Sequence, residues 1–238
     1  MDIKIPYTPR RHQAYLHKQI SKFRWSVLVC HRRFGKTVCM INHLIRSALT
    51  SKNKNPRFAY ISPTFKQSKA IAWDYMKQFT AKIPYTKFNE TELRVDLPNG
   101  SRITLLGSEN SDSLRGIYLD GCVIDEYANV NEKLFPEIIR PALSDRKGYC
   151  VFIGTPQGMN NNFYDLYQHA QGAEDWFQYK AKASQTKIVD QEELTKAKEV
   201  MGEKKFLQEF ECDWIANIEG AIYADALADL ENKKQIAR

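Results

Sequence analysis

The sequence predicts an α/β protein in which a largely parallel central sheet is followed by a small helical subdomain. Short apolar runs of strand length alternate with segments whose apolar residues recur at helical spacing, a pattern typical of this class. Three of the runs are followed directly by residues that can carry chemistry. Basic residues follow the run at 26–30, acidic residues follow 121–124, and a glycine and a threonine follow 149–153. Ligands of parallel sheets bind outside the carboxyl ends of the strands, so these junctions are the candidate functional positions.

The composition of the 238-residue chain is that of a globular protein, with 43% hydrophobic and 26% charged residues. We expect a cytoplasmic protein, because no apolar stretch approaches the roughly 18 residues of a membrane span and Met1–Tyr7 lacks the apolar core of a signal peptide. Five cysteines without a Cys-x-x-Cys pair predict buried, reduced thiols. The net charge of +7 is compatible with a polyanionic partner but does not identify one.

A short amphipathic helix is predicted after Pro9, ahead of the first strand. Two interpretations of this segment stay open. It is either a surface helix that packs on the sheet edge or a segment in which the Gln13 amide, with donors and acceptors in one plane, selects adenine.

A phosphate-binding loop is predicted at Gly35-Lys36-Thr37, between the strand Ser26–Val29 and a helix over 36–49. In this context backbone N–H groups cradle phosphate, the lysine reaches the β- and γ-phosphates, and the threonine hydroxyl ligates Mg²⁺. The usual pattern is Gly-x4-Gly-Lys followed by Ser or Thr. In this chain Cys30 occupies the position of the first glycine. Two neighbouring residues, Arg32 and Arg33, would add positive charge at the phosphates.

The middle of the chain predicts a strand at 57–61, a helix ending near Phe79 and a β-hairpin. The hairpin joins residues 93–97 and 102–106 through Asn99-Gly100, a strong turn signal between two alternating runs. Its apolar side chains would face inward: Leu93, Val95, Leu97, Ile103 and Leu105.

The strand at 121–124 ends in two adjacent carboxylates, Asp125 and Glu126. In nucleotide hydrolases built on a parallel sheet, we expect the strand beside the phosphate loop to deliver an aspartate to Mg²⁺. A neighbouring glutamate can polarise the attacking water. The sequence therefore predicts Thr37 and Asp125 as metal ligands and Glu126 as the catalytic carboxylate.

A third strand, Tyr149–Ile153, is predicted next to the carboxylate strand and ends in Gly154-Thr155-Pro156. A polar residue at this position can sense the γ-phosphate, although an ordinary turn remains the alternative. An edge strand at 176–181 and helices at 191–201 and 203–212 follow.

Together these motifs resemble the ATPase domain of the large terminase subunit, the DNA-packaging motor of tailed bacteriophages. The resemblance covers nearly the whole chain, and the family tolerates the missing first glycine. It implies a RecA-like P-loop NTPase fold of the ASCE type. The motifs that carry it are Arg32-x-x-Gly35-Lys36-Thr37, Val123-Ile124-Asp125-Glu126, Gly154-Thr155-Pro156 and Ser113-Leu114-Arg115-Gly116.

The resemblance also implies roles for individual residues. Arg32 would contact phosphate in cis, and Arg115 would act in trans on the ATP of a neighbouring subunit. A salt-bridging role for Arg115 remains open, with Arg140 or Arg146 as alternative trans residues. Gly154, Thr155 and Pro156 would couple γ-phosphate loss to the helical lid. The implied catalytic set is Glu126, Lys36, Arg32 and Arg115. The implied nucleotide-binding set, which includes part of an adenine-contacting segment at 8–13, is Arg10, Gln13, Arg32, Arg33, Phe34, Gly35, Lys36, Thr37 and Val38.

The expected organisation is an ATPase core at 1–183, a helical lid at 184–216 and a linker at 217–238. The full-length family member carries a C-terminal nuclease, which we do not expect here because only 84 residues follow Gly154. Asp225 and Asp229 also do not sit at strand ends as metal ligands would.

The resemblance implies a Mg²⁺-dependent ATPase that moves double-stranded DNA of any sequence into a procapsid, in the cytoplasm of the infected bacterial host. Its partners would be the portal protein, the small terminase subunit and further copies in a ring, with a monomer as the isolated form. Two alternatives remain. A two-lobed helicase-like translocase would need a second lobe, for which the chain has no room. A nucleotide-gated DNA-binding module without turnover would have no use for Glu126.

Overall fold

The computed structural model describes residues 5–215, apart from the side chains at positions 112 and 113. Eight strands in this part of the chain form one sheet. The strands are β1 (Trp25–Cys30), β2 (Arg57–Ser62), β3 (Lys87–Asn89), β4 (Arg94–Asp96), β5 (Arg102–Gly107), β6 (Gly121–Ile124), β7 (Tyr149–Gly154) and β8 (Trp176–Ala181). Their order is β3-β4-β5-β2-β6-β7-β1-β8, and the six from β5 to β8 along the sheet are mutually parallel. The predicted α/β class with a largely parallel sheet is confirmed.

Helices cover both faces of the sheet and one end of it. They are α1 (Arg11–Ile20), α2 (Lys36–Thr50), α3 (Phe65–Gln67), α4 (Asp74–Thr80), α5 (Arg140–Ala142), α6 (Asn162–Ala170), α7 (Ala183–Thr186), α8 (Gln191–Met201) and α9 (Glu203–Phe210). The helix predicted to end near Phe79 contains a π-helical stretch, Ser68–Trp73, between α3 and α4. The helix predicted at 203–212 ends two residues earlier than expected, at Phe210.

The predicted hairpin is confirmed as the antiparallel pair of β4 and β5. All five of its predicted inward side chains are buried. A third antiparallel strand, β3, extends it and was not predicted. This strand has three residues and no buried side chain, so it leaves no apolar alternation in the sequence.

One prediction of strand order is wrong. The carboxylate strand β6 does not lie beside the phosphate-loop strand β1, because β7 pairs with both and separates them. The prediction that β7 lies next to β6 is confirmed, with Cys122 paired to Cys150 and Val123 to Val151. Strand order follows from pairing between distant segments, which local apolar patterns do not encode.

The core lies on both faces of the sheet, as expected for parallel strands covered by helices. Alternate residues of β1 show this: Leu28 packs in the cluster beneath α2, whereas Val27 and Val29 pack in the cluster on the opposite face. A third, small cluster of Ala183, Leu194 and Phe210 joins α7, α8 and α9. The helical part that follows β8 therefore has a minor core of its own.

The cysteine prediction is confirmed, since all five thiols are buried and none forms a disulfide. No helix within residues 5–215 combines the length and apolarity that crossing a bilayer would require. The predicted linker at 217–238, with Asp225 and Asp229, lies outside the described residues.

Candidate functional site

The loop between β1 and α2 has the backbone geometry of an anion cradle. Gly35 precedes the first residue of α2 in the left-handed region, at φ 86°. Arg33 also has positive φ, at 69°. The Lys36 ammonium donates a hydrogen bond to the carbonyl oxygen of Cys30 across the loop, at 3.1 Å. The loop therefore closes on itself around the N-terminus of a 15-residue helix, where backbone N–H groups attract negative charge.

The absence of the usual first glycine has a structural explanation. Cys30 is the last residue of β1, is buried, and does not have a positive φ. The left-handed conformations fall instead at Arg33 and Gly35. A side chain at Gly35 would bring its Cβ to 2.9 Å from Gln13 Nε2, so glycine is required at this position for both space and conformation.

Helix α1 is bonded directly to this loop. Gln13 is 4% exposed; its Nε2 donates to the Gly35 carbonyl oxygen at 3.2 Å and its Oε1 accepts from the Arg10 backbone N–H at 3.0 Å. Arg10 itself donates to the Phe34 carbonyl oxygen at 3.4 Å. Both ends of the Gln13 amide thus bind backbone groups, and an adenine contact by Gln13 stays a prediction.

The two predicted carboxylates directly follow β6, and the Lys36 ammonium lies near both. Asp125 is 7% exposed, and its backbone N–H donates to the Ile61 carbonyl oxygen at 2.7 Å, which extends the β2–β6 ladder by one residue. Its carboxylate accepts hydrogen bonds from the Tyr60 hydroxyl and from the Glu126 backbone N–H. Glu126 has φ 46° and ψ 49°, a strained conformation for a residue with a Cβ, and such strain is found at functional positions.

Burial is the main influence on the acidity of these carboxylates. It raises the pKa of Asp125 and the pKa of Glu126, while the nearby Lys36 ammonium lowers both. Negative charge on Asp125 and on Glu209 raises the pKa of Glu126 further. A carboxylate that is desolvated in this way is a stronger base than one in water.

The turn after β7 lies beside Glu126, the predicted catalytic carboxylate. The Thr155 backbone N–H lowers the pKa of Glu126, and Thr155 is 5% exposed. Gly154 lies so close that an added Cβ would be 3.1 Å from the Phe163 ring and 3.6 Å from Glu126 Cα. A change in the position of this turn therefore changes the position of Glu126.

Helix α9 binds to both loops of the site. Gln208 is fully buried, and its Nε2 donates to the Pro156 carbonyl oxygen at 2.6 Å. The Arg32 backbone N–H donates to the Glu209 carbonyl oxygen at 2.7 Å, and the two side chains form an ion pair at 3.8 Å. Helix α9 thus contacts the phosphate loop and the turn after β7 at the same time.

Helix α7 makes a further contact, to buried His31. The Arg32 carbonyl can only accept, so His31 Nδ1 carries the proton and donates to it at 2.6 Å, and His31 Nε2 accepts from the Thr186 hydroxyl at 2.7 Å. Burial lowers the pKa of His31, which favours this neutral form.

The three candidate trans arginines lie in different surroundings. Arg115 pairs with Glu137 at 3.7 Å and its side chain is 57% exposed, on the sheet face opposite α2. Arg146 is held by the Lys54 carbonyl oxygen at 3.0 Å, by Asp120 at 3.5 Å and by the Tyr118 ring. Arg140 lines a cavity of about 270 Å³ near the first residues of β1 and β8.

The residues fit a phosphate compound bound with Mg²⁺. Four cationic side chains, those of Arg10, Arg32, Arg33 and Lys36, lie on or contact the loop. Thr37 and Asp125 supply the hydroxyl and carboxylate oxygens that Mg²⁺ prefers. Within residues 5–215 no group of three or more His, Cys, Asp or Glu side chains is arranged to hold a metal ion.

Sequence reasoning missed four residues of this site: Tyr60, Thr186, Gln208 and Glu209. Tyr60 is one of several apolar-looking residues of a buried strand, and the other three belong to helices with ordinary polar composition. No local motif distinguishes them, because each acts through a partner that is remote in sequence.

Comparison with known proteins gives a consistent result. Residues 29–227 match the protein family described as terminase large subunit, T4likevirus-type, N-terminal. Terminase large subunits of Thermus phage G20c and Escherichia phage T5 are 24% identical over 182 residues and 25% identical over 177 residues. These alignments cover 68% and 71% of this chain but 36% and 39% of the relatives. The chain thus spans little more than a third of the length of the curated relatives it matches.

Solved structures share the fold. The large terminase ATPase domain of Thermus phage P74-26 superposes with a TM-score of 0.74 at 20% identity, covering 89% of this chain and 96% of that domain. The large terminase of another thermophilic bacteriophage, solved in complex with ADP, has a TM-score of 0.75 at 16% identity and covers 86% of this chain and 53% of that one. The RecA-like fold predicted from the sequence is confirmed.

Proposed function

The chain belongs to the family of terminase large subunits, T4-like-virus type, N-terminal part, and from this premise we propose that it hydrolyses ATP to move double-stranded DNA into a viral procapsid. One observation carries the proposal. The phosphate loop, the carboxylate pair and the turn after β7 meet at the carboxyl ends of neighbouring strands, and Gly154 lies beside Glu126.

The phosphate loop would hold the triphosphate. Lys36 would leave the Cys30 carbonyl and bind the phosphates, and Arg32, at present paired with Glu209, would add a second cation in cis. Arg33, Phe34, Gly35 and Val38 would complete the backbone cradle. The base would lie near Arg10 and Gln13, beside a cavity of about 280 Å³ lined by Tyr7 and Pro9.

Hydrolysis would be performed by Glu126, which lies beside the turn after β7. Its carboxylate would orient the attacking water and accept a proton from it. Thr37 and Asp125 would hold Mg²⁺, which when bound neutralises charge developing on the phosphates. Gly154, Thr155 and Pro156 would pass the loss of the γ-phosphate to α9 through Gln208.

We propose that residues 1–183 form the ATPase core, 184–216 the lid and 217–238 a linker. Packing of α7, α8 and α9 around their own small core supports the lid. The proposed partners are the portal protein, the small terminase subunit and neighbouring copies in a ring, in the cytoplasm of the infected host. Nuclease activity is not proposed for this chain.

The test is the single substitution Glu126→Gln, compared with Glu132→Gln at an exposed position as a surface control. Phosphate release should fall by about 10²-fold or more in Glu126→Gln, because the amide cannot accept the proton, while ATP binding persists. Glu132→Gln should keep wild-type turnover. Near wild-type turnover in Glu126→Gln would show that another group orients the water.

Measurements with DNA separate the proposal from its alternatives. A packaging motor accepts any sequence, so DNA binding should depend steeply on salt and little on sequence. A preference of several kcal/mol for one duplex would indicate a specific regulator instead. ATP binding without phosphate release, with or without DNA, would indicate the nucleotide-gated module.

A further inference from the structure

Tyr60 lies in the interior of the sheet, below the phosphate loop. It is fully buried on β2, where it pairs with Val123 of β6. Tyr60 and Val123 both pack in the cluster beneath α2, and Asp125 follows Val123 by two residues. Because successive side chains of a strand point to opposite faces, Asp125 shares the face of Tyr60 and Val123.

The Tyr60 hydroxyl contacts one of the predicted metal ligands. It donates a hydrogen bond to Asp125 Oδ2.

The direction of this bond follows from the chemistry of the two groups. An ionised carboxylate can only accept, so the Tyr60 hydroxyl donates its proton to Asp125. A carboxylate ligates a cation through the lone pairs that such bonds leave free.

The same bond orients Asp125. The Tyr60 hydroxyl binds Oδ2, and the Glu126 backbone N–H binds Oδ1 at 2.9 Å, so both carboxylate oxygens are held in one plane. The two bonds therefore fix the orientation of the carboxylate of the predicted metal site.

We propose that Tyr60 is a positioning residue for the metal half of the ATPase site, and that its hydroxyl holds Asp125 in the orientation that binds Mg²⁺ together with the nucleotide. This inference rests on the proposed function.

The test is Tyr60→Phe, which keeps the ring and removes only the hydroxyl. Tyr149→Phe is a matched control, because Tyr149 is also a tyrosine of the sheet. Its hydroxyl donates to Ser47, near the C-terminal end of α2, at 3.0 Å. ADP binding to each protein is titrated by fluorescence, first in EDTA and then with increasing Mg²⁺. Thermal unfolding of each protein is measured alongside.

In EDTA the ADP affinity of Tyr60→Phe should stay within about twofold of wild type. The Mg²⁺ concentration needed for half-maximal enhancement of ADP binding should rise about tenfold, the factor that one hydrogen bond to a charged group supplies. Tyr149→Phe should leave this concentration unchanged even where it lowers the unfolding temperature.

An unchanged Mg²⁺ dependence in Tyr60→Phe, with only a loss of stability, would overturn the proposal and leave Tyr60 a core residue. A wild-type chain that binds no ADP would instead refute the proposed function. A wild-type chain that binds ADP without any effect of Mg²⁺ would overturn the metal site and the role of Tyr60 together.

A measurement on the unmutated chain covers the case in which Tyr60→Phe does not fold. One tyrosine labelled with ¹³C at Cζ is placed at position 60, and its NMR resonance is followed as Mg²⁺ is added to the ADP-bound protein. The resonance should shift, because the carboxylate to which the hydroxyl donates binds the metal. A resonance that does not move would overturn the proposal.

Discussion

Replacement of Gln208 by leucine tests the proposed connection between the lid and the turn after β7. Gln208 is fully buried on α9, and its Nε2 donates to the Pro156 carbonyl oxygen at 2.6 Å and to Gln157 Oε1 at 3.3 Å. Leucine has a similar volume but no donor. The variant therefore leaves the Pro156 carbonyl without this donor while keeping most of the packing.

The expected effect on stability follows from the lost hydrogen bond. A buried polar group left without a partner costs about 2 kcal/mol of the free energy of unfolding. For a domain of this size that corresponds to an unfolding temperature lower by about 4–8 °C. The effect on turnover should be larger, since the freed turn lies beside Glu126. We expect turnover to fall by at least about tenfold, because small displacements of catalytic groups are costly.

The assay combines thermal unfolding with steady-state phosphate release. Gln178→Leu is the matched control: Gln178 on β8 also donates from Nε2 to a backbone carbonyl, that of Tyr167, at 2.6 Å. Gln178 is only half-buried, so Gln178→Leu should lose no more stability than Gln208→Leu, and Gln208→Leu alone should lose turnover. Equal turnover in the two variants at a temperature where both are folded would refute the proposed path from the turn after β7 to α9.

Three further predictions concern the phosphate loop, the assembly and the response to acid. Lys36→Ala should abolish phosphate release and weaken nucleotide binding, measured by fluorescence titration, because the phosphates lose their central cation; undiminished binding would count against the loop. Subunits with Arg115→Ala mixed with Glu126→Gln subunits should recover turnover when sizing shows co-assembly, since a trans arginine supplies roughly 10³ in rate; no recovery would transfer the role to Arg140 or Arg146 or remove it. Burial lowers the pKa of His17 to about 4 and that of His43 to about 3, so below pH ~6.5 the unfolded chain binds protons that the folded chain does not. The free energy of unfolding, measured in urea titrations, should therefore fall as the pH is lowered, by on the order of 3 kcal/mol at pH 5. The variant His43→Asn should remove about half of this fall. An unaltered pH dependence in His43→Asn would contradict the role of these histidines.

Local motifs were predictable from the sequence because their residues are neighbours in the chain. The strand, loop and helix around Gly35-Lys36-Thr37 follow from apolar spacing and from the glycine at the helix start, and the structure has β1 and α2 there. The hairpin through Asn99-Gly100 follows from turn chemistry between two alternating runs. The carboxylate pair after β6 was recognisable for the same reason.

The contacts that join these motifs were decided by the tertiary structure. Tyr60 and Asp125 are 65 positions apart, and Gln208 and Pro156 are 52 positions apart. Strand order was also decided by the tertiary structure, since β7 lies between β6 and β1. The sequence by itself thus determined which chemical groups the chain carries and which local elements present them. Only the pairing of strands and the packing of α9 decided which of those groups touch, because a hydrogen bond between distant residues leaves no periodic signal along the chain.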